Sequence, residues 1–311
     1  MMLAPPTVGI ARSINKHNSN LDTLCDWVEG SILFDDGELS ASDIVDALIE
    51  NNIYAEQDFA WQIMNDAWNE LKRRQGLIGN GAPIEIMGQR LRRLRAWQDS
   101  PAHSFCIALA YTKWYPNWAR QFGNDYNEQG ELFETLTKEA LRILFPDWEI
   151  HPTGWTRTRV NRLGRIVKDI VSRLGEIEGE VERWTNDKAH EAGLDLLCYR
   201  PFGDGRVGVP VFLMQCGSGG HWDGKLHTPN LRIWTKIVQF ASDPKKAFAM
   251  PYALLDKEFR QNCNLVNGLL LDRYRLLSAG RNDPDWVSVE LKAAIVAWLE
   301  PRIEKLPRDY E

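Results

Sequence analysis

Features that would place this chain in several common protein classes are missing from its sequence. No run approaches the roughly 18 consecutive apolar residues of a membrane-spanning helix, and the opening MMLAPPTVGIARS lacks the apolar stretch of a signal peptide. The net charge is only −6 over 311 residues, which argues against non-specific coating of nucleic acid. We therefore expect a cytoplasmic globular protein of about two domains, without membrane contact.

Cysteine is scarce and scattered. The five cysteines are odd in number, lie far apart and form no Cys-x-x-Cys pair. A disulfide framework and a zinc knuckle are therefore not indicated. We interpret the thiols as reduced and mostly buried.

Basic residues concentrate in two places despite the acidic total. Residues 90–95 read RLRRLR, and residues 155–173 hold a second cluster that is followed by compensating acids at 175–182. Each cluster is either a solvated helix face or a surface that contacts phosphates. On the second interpretation, the candidate nucleic-acid-binding residues are Arg90, Arg92, Arg93, Arg157, Arg159, Arg162 and Arg165.

The first 125 residues indicate a mainly helical module. A Ser-x-x-Asp cap and an apolar stripe predict a helix over 40–52, and a second stripe predicts a helix over 56–75. A short basic strand follows; this order resembles a winged-helix module, although many small helical domains share it. The apolar segment 102–114 is expected to pack between the two halves. We place the domain boundary near residue 125, in a polar stretch, and expect the module to bind DNA or a partner.

Residues 126–311 have a mixed pattern. A helix is predicted from residue 129 to 145, where Pro146 stops it. The pattern predicts an α/β domain with a mixed sheet flanked by helices. The predicted strands are 193–199, 209–216, 247–254 and 265–277, and the further helices are 229–240 and 284–304.

The segment QCGSGGHWDGK, residues 215–225, contains most of the reactive residue types in this half. It satisfies the Gly-x-x-x-x-Gly-Lys spacing of a phosphate loop and would then bind a nucleotide, but Leu226 stands where Ser or Thr should coordinate magnesium. The Cys, Gly, Ser and Trp of this segment resemble the surroundings of a papain-type nucleophile, but His221 stands beside the Trp where that nucleophile should be, and Cys216 lies at a strand end rather than at a helix N-terminus. Both interpretations are weaker than a third, which uses more of the chain.

The third interpretation joins two strands and a helix. Asp195 interrupts an apolar strand, and Gln215 ends the next one, so a hairpin between them would bring both oxygens to one point. A buried acid such as Asp195 demands a cation or hydrogen-bond donors. Glu134 lies on the inner flank of the preceding helix. Together the three residues form a candidate metal site of hard oxygen ligands.

In this order, the segments LFETLTKEAL, GLDLLCY and VFLMQCGSGGHWDGK resemble the PD-(D/E)XK superfamily of restriction-endonuclease-like nucleases. The likeness covers residues 129–255 and is closest to the Mrr-type branch, which carries Gln at the second acidic position. The resemblance implies that Glu134, Asp195 and Gln215 bind Mg²⁺ or Mn²⁺ and that the protein cleaves DNA. It further implies a role in bacterial defence, with a possible protein partner in a multi-subunit system, and is compatible with a homodimer.

The lysine of this family does not match directly. Two residues after Gln215 stands Gly217, so the usual Gln-x-Lys is absent. Lys225 is our candidate for the lysine that assists the attacking water, and His221 is a second candidate. The departure leaves open a catalytically inactive, nuclease-fold subunit that binds DNA or a partner.

Each site residue also has an ordinary structural interpretation. Asp195 would then cap a turn or pair with Lys188 or Arg200, and Gln215 would satisfy backbone at a strand end. Glu134 and Lys225 would be surface charges. Trp222 is expected to pack rather than stack on a base.

Overall fold

The computed structural model describes residues 2–6, 8–10, 20–35, 37–123, 126–153, 163–185 and 192–309. The chain divides into two compact units. The first comprises Met1–Asp125, Pro251–Leu254 and Arg273–Glu311, and the second comprises Tyr126–Met250 and Leu255–Asp272. The break at residue 125 coincides with the expected boundary. The C-terminal segment, which we had assigned to the second domain, belongs to the first unit.

Helices and strands are interspersed along the chain. The α-helices are α1 (Leu21–Phe34), α2 (Ala41–Glu50), α3 (Gln57–Ile78), α4 (Pro101–Trp114), α5 (Pro116–Ala119), α6 (Tyr126–Leu144), α7 (Leu163–Leu174), α8 (Val181–Trp184), α9 (Leu231–Ile237), α10 (Asp256–Val266), α11 (Arg273–Leu277) and α12 (Val289–Ile303). The strands are β1 (Glu38–Ser40), β2 (Ile84–Met87), β3 (Arg90–Arg93), β4 (Glu149–Pro152), β5 (Ile177–Glu178), β6 (Leu196–Tyr199), β7 (Val211–Cys216), β8 (Val238–Gln239), β9 (Lys245–Ala249) and β10 (Gly268–Leu271). In the part of the chain that is described, no helix combines the length and apolar character needed to cross a membrane.

The predicted helix at 40–52 is confirmed as α2, and its start has the expected cause. The Ser40 hydroxyl accepts from the Asp43 N–H at 3.2 Å, and the Asp43 carboxylate accepts from the Ser40 N–H at 2.7 Å. This reciprocal capping box satisfies two backbone donors that the first turn leaves free. The helix predicted at 56–75 is α3, which continues to Ile78.

A small antiparallel sheet completes this part of the first unit. Its strand order is β1-β3-β2, and β2 and β3 form a hairpin whose turn contains Gly88 at φ +60°. The indole N–H of Trp68, on α3, donates to the Gly88 carbonyl at 2.8 Å. The hairpin turn is therefore held against α3.

The apolar segment 102–114 is α4, and it packs against α1 and α12 within the first unit. The sequence analysis expects it to pack between the two halves of the chain; its partners α1 and α12 do come from opposite halves of the sequence, but both belong to the first unit. Its residues are buried almost without interruption from Pro101 to Tyr111. A helix that is apolar all round needs neighbours on all its sides, and the first unit supplies them once the C-terminal helix joins it.

The second unit contains the mixed sheet that the sequence predicts. Its strand order is β10-β9-β7-β6-β4; β4, β6 and β7 are antiparallel to one another in turn, and β9 and β10 continue in parallel with β7. One face of the sheet buries Leu197 and Leu213 against α7 and α9. The opposite face meets α6, whose Thr137 hydrogen-bonds the Cys216 side chain. The expectation of a mixed sheet flanked by helices is thus confirmed.

One segment of the second half differs from the sequence predictions, and a helix lies in the second basic cluster. The run 265–277 was predicted as one strand, but it contains the end of α10, the strand β10 and the helix α11. Asn267 ends α10 in the left-handed conformation, at φ 51°, which Asn adopts more readily than most residues. The second basic cluster, interpreted from the sequence as either a solvated helix face or a phosphate-contacting surface, contains the helix α7, whose apolar residues Ile166, Val167 and Ile170 are buried.

Candidate functional site

Asp195 and Gln215 lie opposite each other at one end of the β6–β7 hairpin. The register pairs Leu196 with Met214, so the next pair outward is Asp195 with Gln215. Both side chains are almost fully buried, with 4% and 7% of their surface exposed. The Gln215 amide nitrogen donates a hydrogen bond to the Asp195 carboxylate. The structure therefore brings together the two residues that the sequence placed on neighbouring strands.

Backbone groups fix the position of Asp195. The N–H of Cys216 donates to Asp195 Oδ2 at 2.6 Å. The Asp195 N–H donates to the Met214 carbonyl at 2.9 Å, and the Thr153 N–H donates to the Asp195 carbonyl at 2.7 Å. The Cys216 N–H and the Gln215 amide donate to the carboxylate itself, and such charge-assisted bonds offset the cost of burying it. Asp195 is thus held rigidly at the sheet end by both neighbouring strands.

The oxygen of the Gln215 amide faces the short loop that contains Lys225 and Thr228. The Thr228 hydroxyl lies 3.3 Å from Gln215 Oε1 and donates to the Lys225 carbonyl at 2.6 Å. Gly193, at φ +71°, borders the same point, because a Cβ placed there would lie 3.1 Å from Gln215 Oε1 and 2.9 Å from Thr228 Cβ. A side chain at position 193 would be strained and crowded, which explains the glycine immediately before the Leu-Asp strand.

Glu134 lies on α6, one turn before Thr137, and is half-buried. The pKa of the Cys216 thiol is raised well above its ordinary value by burial and then by the charges of Asp195 and Glu134. Both carboxylates therefore lie within electrostatic range of one sulfur atom. The raised pKa also removes the support for a cysteine nucleophile, which requires a thiolate.

Gln129 belongs to the same neighbourhood, and the sequence analysis missed it. Its side chain is 7% exposed, and its amide nitrogen donates to the Ser218 carbonyl at 3.0 Å. This contact ties the first turns of α6 to the loop that follows β7. A glutamine near the start of an amphipathic helix gives no sequence signal of such a contact.

Position 217, where the family pattern would carry lysine, has no room for a side chain. A Cβ on Gly217 would lie 2.6 Å from Phe248 Cζ and 3.1 Å from Trp222 Cβ. Phe248, on β9, pairs in register with Gln215, so its ring occupies the space next along that face. The packing of Phe248 against position 217 therefore accounts for the glycine there and for the absence of Gln-x-Lys.

Lys225 and His221 are both exposed. Lys225 ends a one-turn 3-10 helix, Trp222–Lys225, and the next α-helix begins only at Leu231. Lys225 therefore lies in the loop that precedes α9, outside the helix itself. The same geometry gives no support to a phosphate loop, which needs an α-helix N-terminus directly after its glycines.

A different lysine is buried on the site face of the sheet. Lys246, on β9, pairs in register with Leu213 and is 8% exposed. Its ammonium donates to the Leu226 carbonyl at 2.9 Å, and burial lowers its pKa. Leu226 follows Lys225 directly, so Lys246 fastens the loop that contacts Gln215. The one available signal was a charged residue inside the strand Lys245–Ala249.

The oxygen atoms of Asp195, Gln215 and Glu134 suit a hard divalent cation in kind, but the Gln215 amide is oriented with its nitrogen, not its oxygen, toward Asp195. No cluster of three or more His, Cys, Asp or Glu side chains suited to a metal ion occurs among the described residues. Asp195 and Glu134 supply carboxylates, whereas Gln215 presents nitrogen to Asp195. Turning the Gln215 amide by about 180° would exchange its oxygen and nitrogen. Its oxygen would then face the Asp195 carboxylate, an arrangement that a cation between them would stabilise.

Only some of the predicted nucleic-acid-binding residues lie in the part of the chain that the structure describes. Arg157, Arg159 and Arg162 lie outside the described residues, and Arg165 is exposed on α7. On β3, Arg90 pairs with Glu38 at 2.7 Å, Arg92 pairs with Glu85, and Arg93 donates to the Leu33 carbonyl. The charges of Arg90 and Arg92 are thus matched by acids on the adjacent strands, which weakens the case for β3 as a phosphate-contacting surface.

Comparison of the chain with protein-family models, with curated proteins and with solved structures found no match.

Proposed function

We propose that this protein is a metal-dependent nuclease that hydrolyses DNA phosphodiester bonds. The observation that carries the proposal is the buried pair Asp195–Gln215 at the end of an antiparallel hairpin. Glu134, on the helix before the hairpin, acts electrostatically on the same thiol as Asp195. This order of a helix Glu, a strand Asp and a strand Gln, on a mixed sheet flanked by helices, is the one that the PD-(D/E)XK resemblance implies.

Each residue of the proposed site would have its own role. Asp195, Gln215 and Glu134 would hold Mg²⁺ or Mn²⁺, which when bound would polarise the scissile phosphate and acidify a water molecule. The Cys216 N–H orients Asp195, and the Thr228 hydroxyl contacts Gln215. Lys225 is exposed beside this loop and would stabilise developing charge. Because Gln215 replaces an acid, the site carries one negative charge fewer, and we expect weaker metal affinity.

The first unit would bring the nuclease to DNA. The helices α2 and α3, followed by the β2–β3 hairpin, support the winged-helix interpretation. A role in bacterial defence, with or without a protein partner, follows from the resemblance alone and belongs to the same proposal.

A second candidate is a non-catalytic subunit that keeps the nuclease fold for binding. The packing at Gly217 favours it, because Phe248 fills the space where the catalytic lysine would stand. The amide nitrogen that Gln215 turns toward Asp195 favours it as well. The two candidates differ in divalent-metal affinity, for which a binding-only protein has no requirement.

The test is incubation of the purified protein with plasmid and with single-stranded DNA, in Mg²⁺ or Mn²⁺ and in EDTA. We expect metal-dependent cleavage that falls at least about 100-fold in Asp195→Asn, because the variant loses the charge that binds the metal. Asp204→Asn is the matched control; Asp204 is exposed on the loop at the other end of the hairpin, and its variant should cleave normally.

Asp195→Ala would leave the buried Cys216 N–H without its acceptor, at a cost of about 1–3 kcal/mol, so Asp195→Asn is preferred. Circular dichroism would establish that each variant is folded. DNA binding without cleavage in any metal would overturn the nuclease and leave the binding subunit.

A further inference from the structure

The Gln215 amide lies between oxygen atoms at both of its ends. Its nitrogen donates to the Asp195 carboxylate and lies 3.4 Å from the Cys216 carbonyl oxygen. Its own oxygen lies 3.3 Å from Thr228 Oγ1. Because Gln215 is 7% exposed, these protein contacts rather than bulk water decide which end of the amide faces which neighbour.

The single proton of the Thr228 hydroxyl is directed away from Gln215. A hydroxyl donates one hydrogen bond and accepts up to two. The Lys225 carbonyl oxygen, which can only accept, lies 2.6 Å from Thr228 Oγ1, whereas the 3.3 Å contact with Gln215 Oε1 exceeds the usual O–H···O range of about 2.5–3.0 Å. Thr228 Oγ1 therefore presents a lone pair to Gln215 Oε1.

Neither orientation of the amide satisfies both of its ends without a further group. With its nitrogen toward Asp195, the amide leaves two acceptors facing each other at Thr228. Turned by about 180°, it would donate to Thr228 Oγ1, but its oxygen would then face the Asp195 carboxylate and the Cys216 carbonyl. A cation beside Asp195 would remove that repulsion, so that the turned orientation would satisfy both ends.

We propose that Thr228 is a positioning residue of the metal site. By accepting a hydrogen bond from the turned amide, it favours the orientation in which Gln215 offers its oxygen to a divalent cation. Thr228 acts through Gln215, because its hydroxyl faces the end of the amide remote from Asp195. This inference rests on the proposed function for the metal and adds a residue that the family resemblance does not supply.

The test is a titration of the full chain with Mn²⁺ in the absence of DNA, with free Mn²⁺ measured by electron paramagnetic resonance. Asp195→Asn identifies the binding that belongs to this site. Thr228→Val keeps the shape of the side chain without its hydroxyl and should weaken that binding about three- to tenfold, the usual contribution of one hydrogen bond. Thr228→Ser should restore it. Thr235→Val, at an exposed position of α9, is the control and should bind like the parent.

A Gln215→Met background separates positioning from a general effect on the loop. Met has no amide to orient, and Asp195 and Glu134 still offer carboxylates for residual binding. Thr228→Val should therefore cause no further loss of Mn²⁺ affinity in this background. An equal loss in both backgrounds would show that the hydroxyl merely stabilises the loop, and it would overturn the inference.

The sign of the change in the single variant is also decisive. If the hydroxyl donated to Gln215 Oε1, it would hold the amide with its nitrogen toward Asp195, and Thr228→Val would raise the Mn²⁺ affinity. Raised or unchanged affinity, with Asp195-dependent binding in the parent, would overturn this inference alone. A parent without any Asp195-dependent Mn²⁺ binding would overturn the proposed metal site and this inference with it.

Discussion

At the scale of single residues, His103 is the clearest case of a side chain controlled by its surroundings. It is 5% exposed in the first unit. Burial first, and then the positive charge of Arg273, lower its pKa from 6.5 to about 3, with Arg74 acting in the same direction and Asp26 opposing them. Within the described residues, neither ring nitrogen has a hydrogen-bond partner. The imidazole is therefore neutral in the folded protein at any physiological pH.

This residue makes stability fall as the solution is acidified. Between pH 6.5 and pH 3 the unfolded chain binds a proton at His103 that the folded chain does not bind. Acidification therefore lowers the free energy of the unfolded state relative to the folded state. From pH 7 to pH 5 the loss from this group is about 2 kcal/mol. His103→Leu should remove that part of the pH dependence, as measured by urea unfolding at both values. The exposed His227, replaced by Leu, is the control. An unchanged pH dependence in His103→Leu would contradict the assignment.

At the scale of elements, side-chain hydrogen bonds hold residues 222–229, in the loop between β7 and α9, to the sheet. Lys246 on β9 binds the Leu226 carbonyl, and Thr228 contacts Gln215. The Thr228 N–H and hydroxyl both donate to the Lys225 carbonyl. The position of the exposed Lys225 thus depends on a buried lysine of the neighbouring strand.

Lys246→Met keeps the length of the side chain and removes the donor. We expect the loop at 222–229 to exchange its amide protons faster, because the Leu226 carbonyl loses a hydrogen bond worth about 1–3 kcal/mol when its partner is removed. Protection of β7 and β9 should persist. Hydrogen–deuterium exchange with peptide resolution measures both, and Lys245→Met, at the exposed neighbouring position, is the control. Equal protection of the loop in both variants would show that Lys246 does not hold it.

Sequence patterns predicted the elements whose causes are local. The Ser40–Asp43 cap and the hairpin between β6 and β7 depend on neighbours along the chain, and both are present. Local patterns cannot say that β9 lies beside β7, which brings Phe248 against Gly217. The site pair was therefore predictable, whereas the reason for the missing lysine was not.

At the scale of the whole molecule, the C-terminal segment returns to the first unit through a buried ion network. The Arg273 guanidinium binds both carboxylate oxygens of Asp26, on α1, at 2.7 and 3.0 Å, and donates to the Pro251 carbonyl at 2.8 Å. Arg74 shares Asp26 and also pairs with Glu29 and Asp22. Although burial raises the pKa of Asp26, Arg273 and Arg74 outweigh it and keep that pKa below its usual value. A contact across 247 positions has no local signature, which is why the domain assignment of residues 273–311 differed.

Removing one partner of this network should destabilise the first unit strongly. Arg273→Met leaves Asp26 with only part of its compensation in a buried site, and we expect a loss of about 3 kcal/mol in the free energy of unfolding. Asp26→Leu/Arg273→Met should regain most of that loss, because Arg74 retains Asp22, Glu29 and Glu70. Arg260→Met, in an exposed pair with Asp256, should change stability far less. Denaturant unfolding of all three variants measures this. A double variant as unstable as Arg273→Met alone would mean that packing, rather than the unpaired charge, sets the loss.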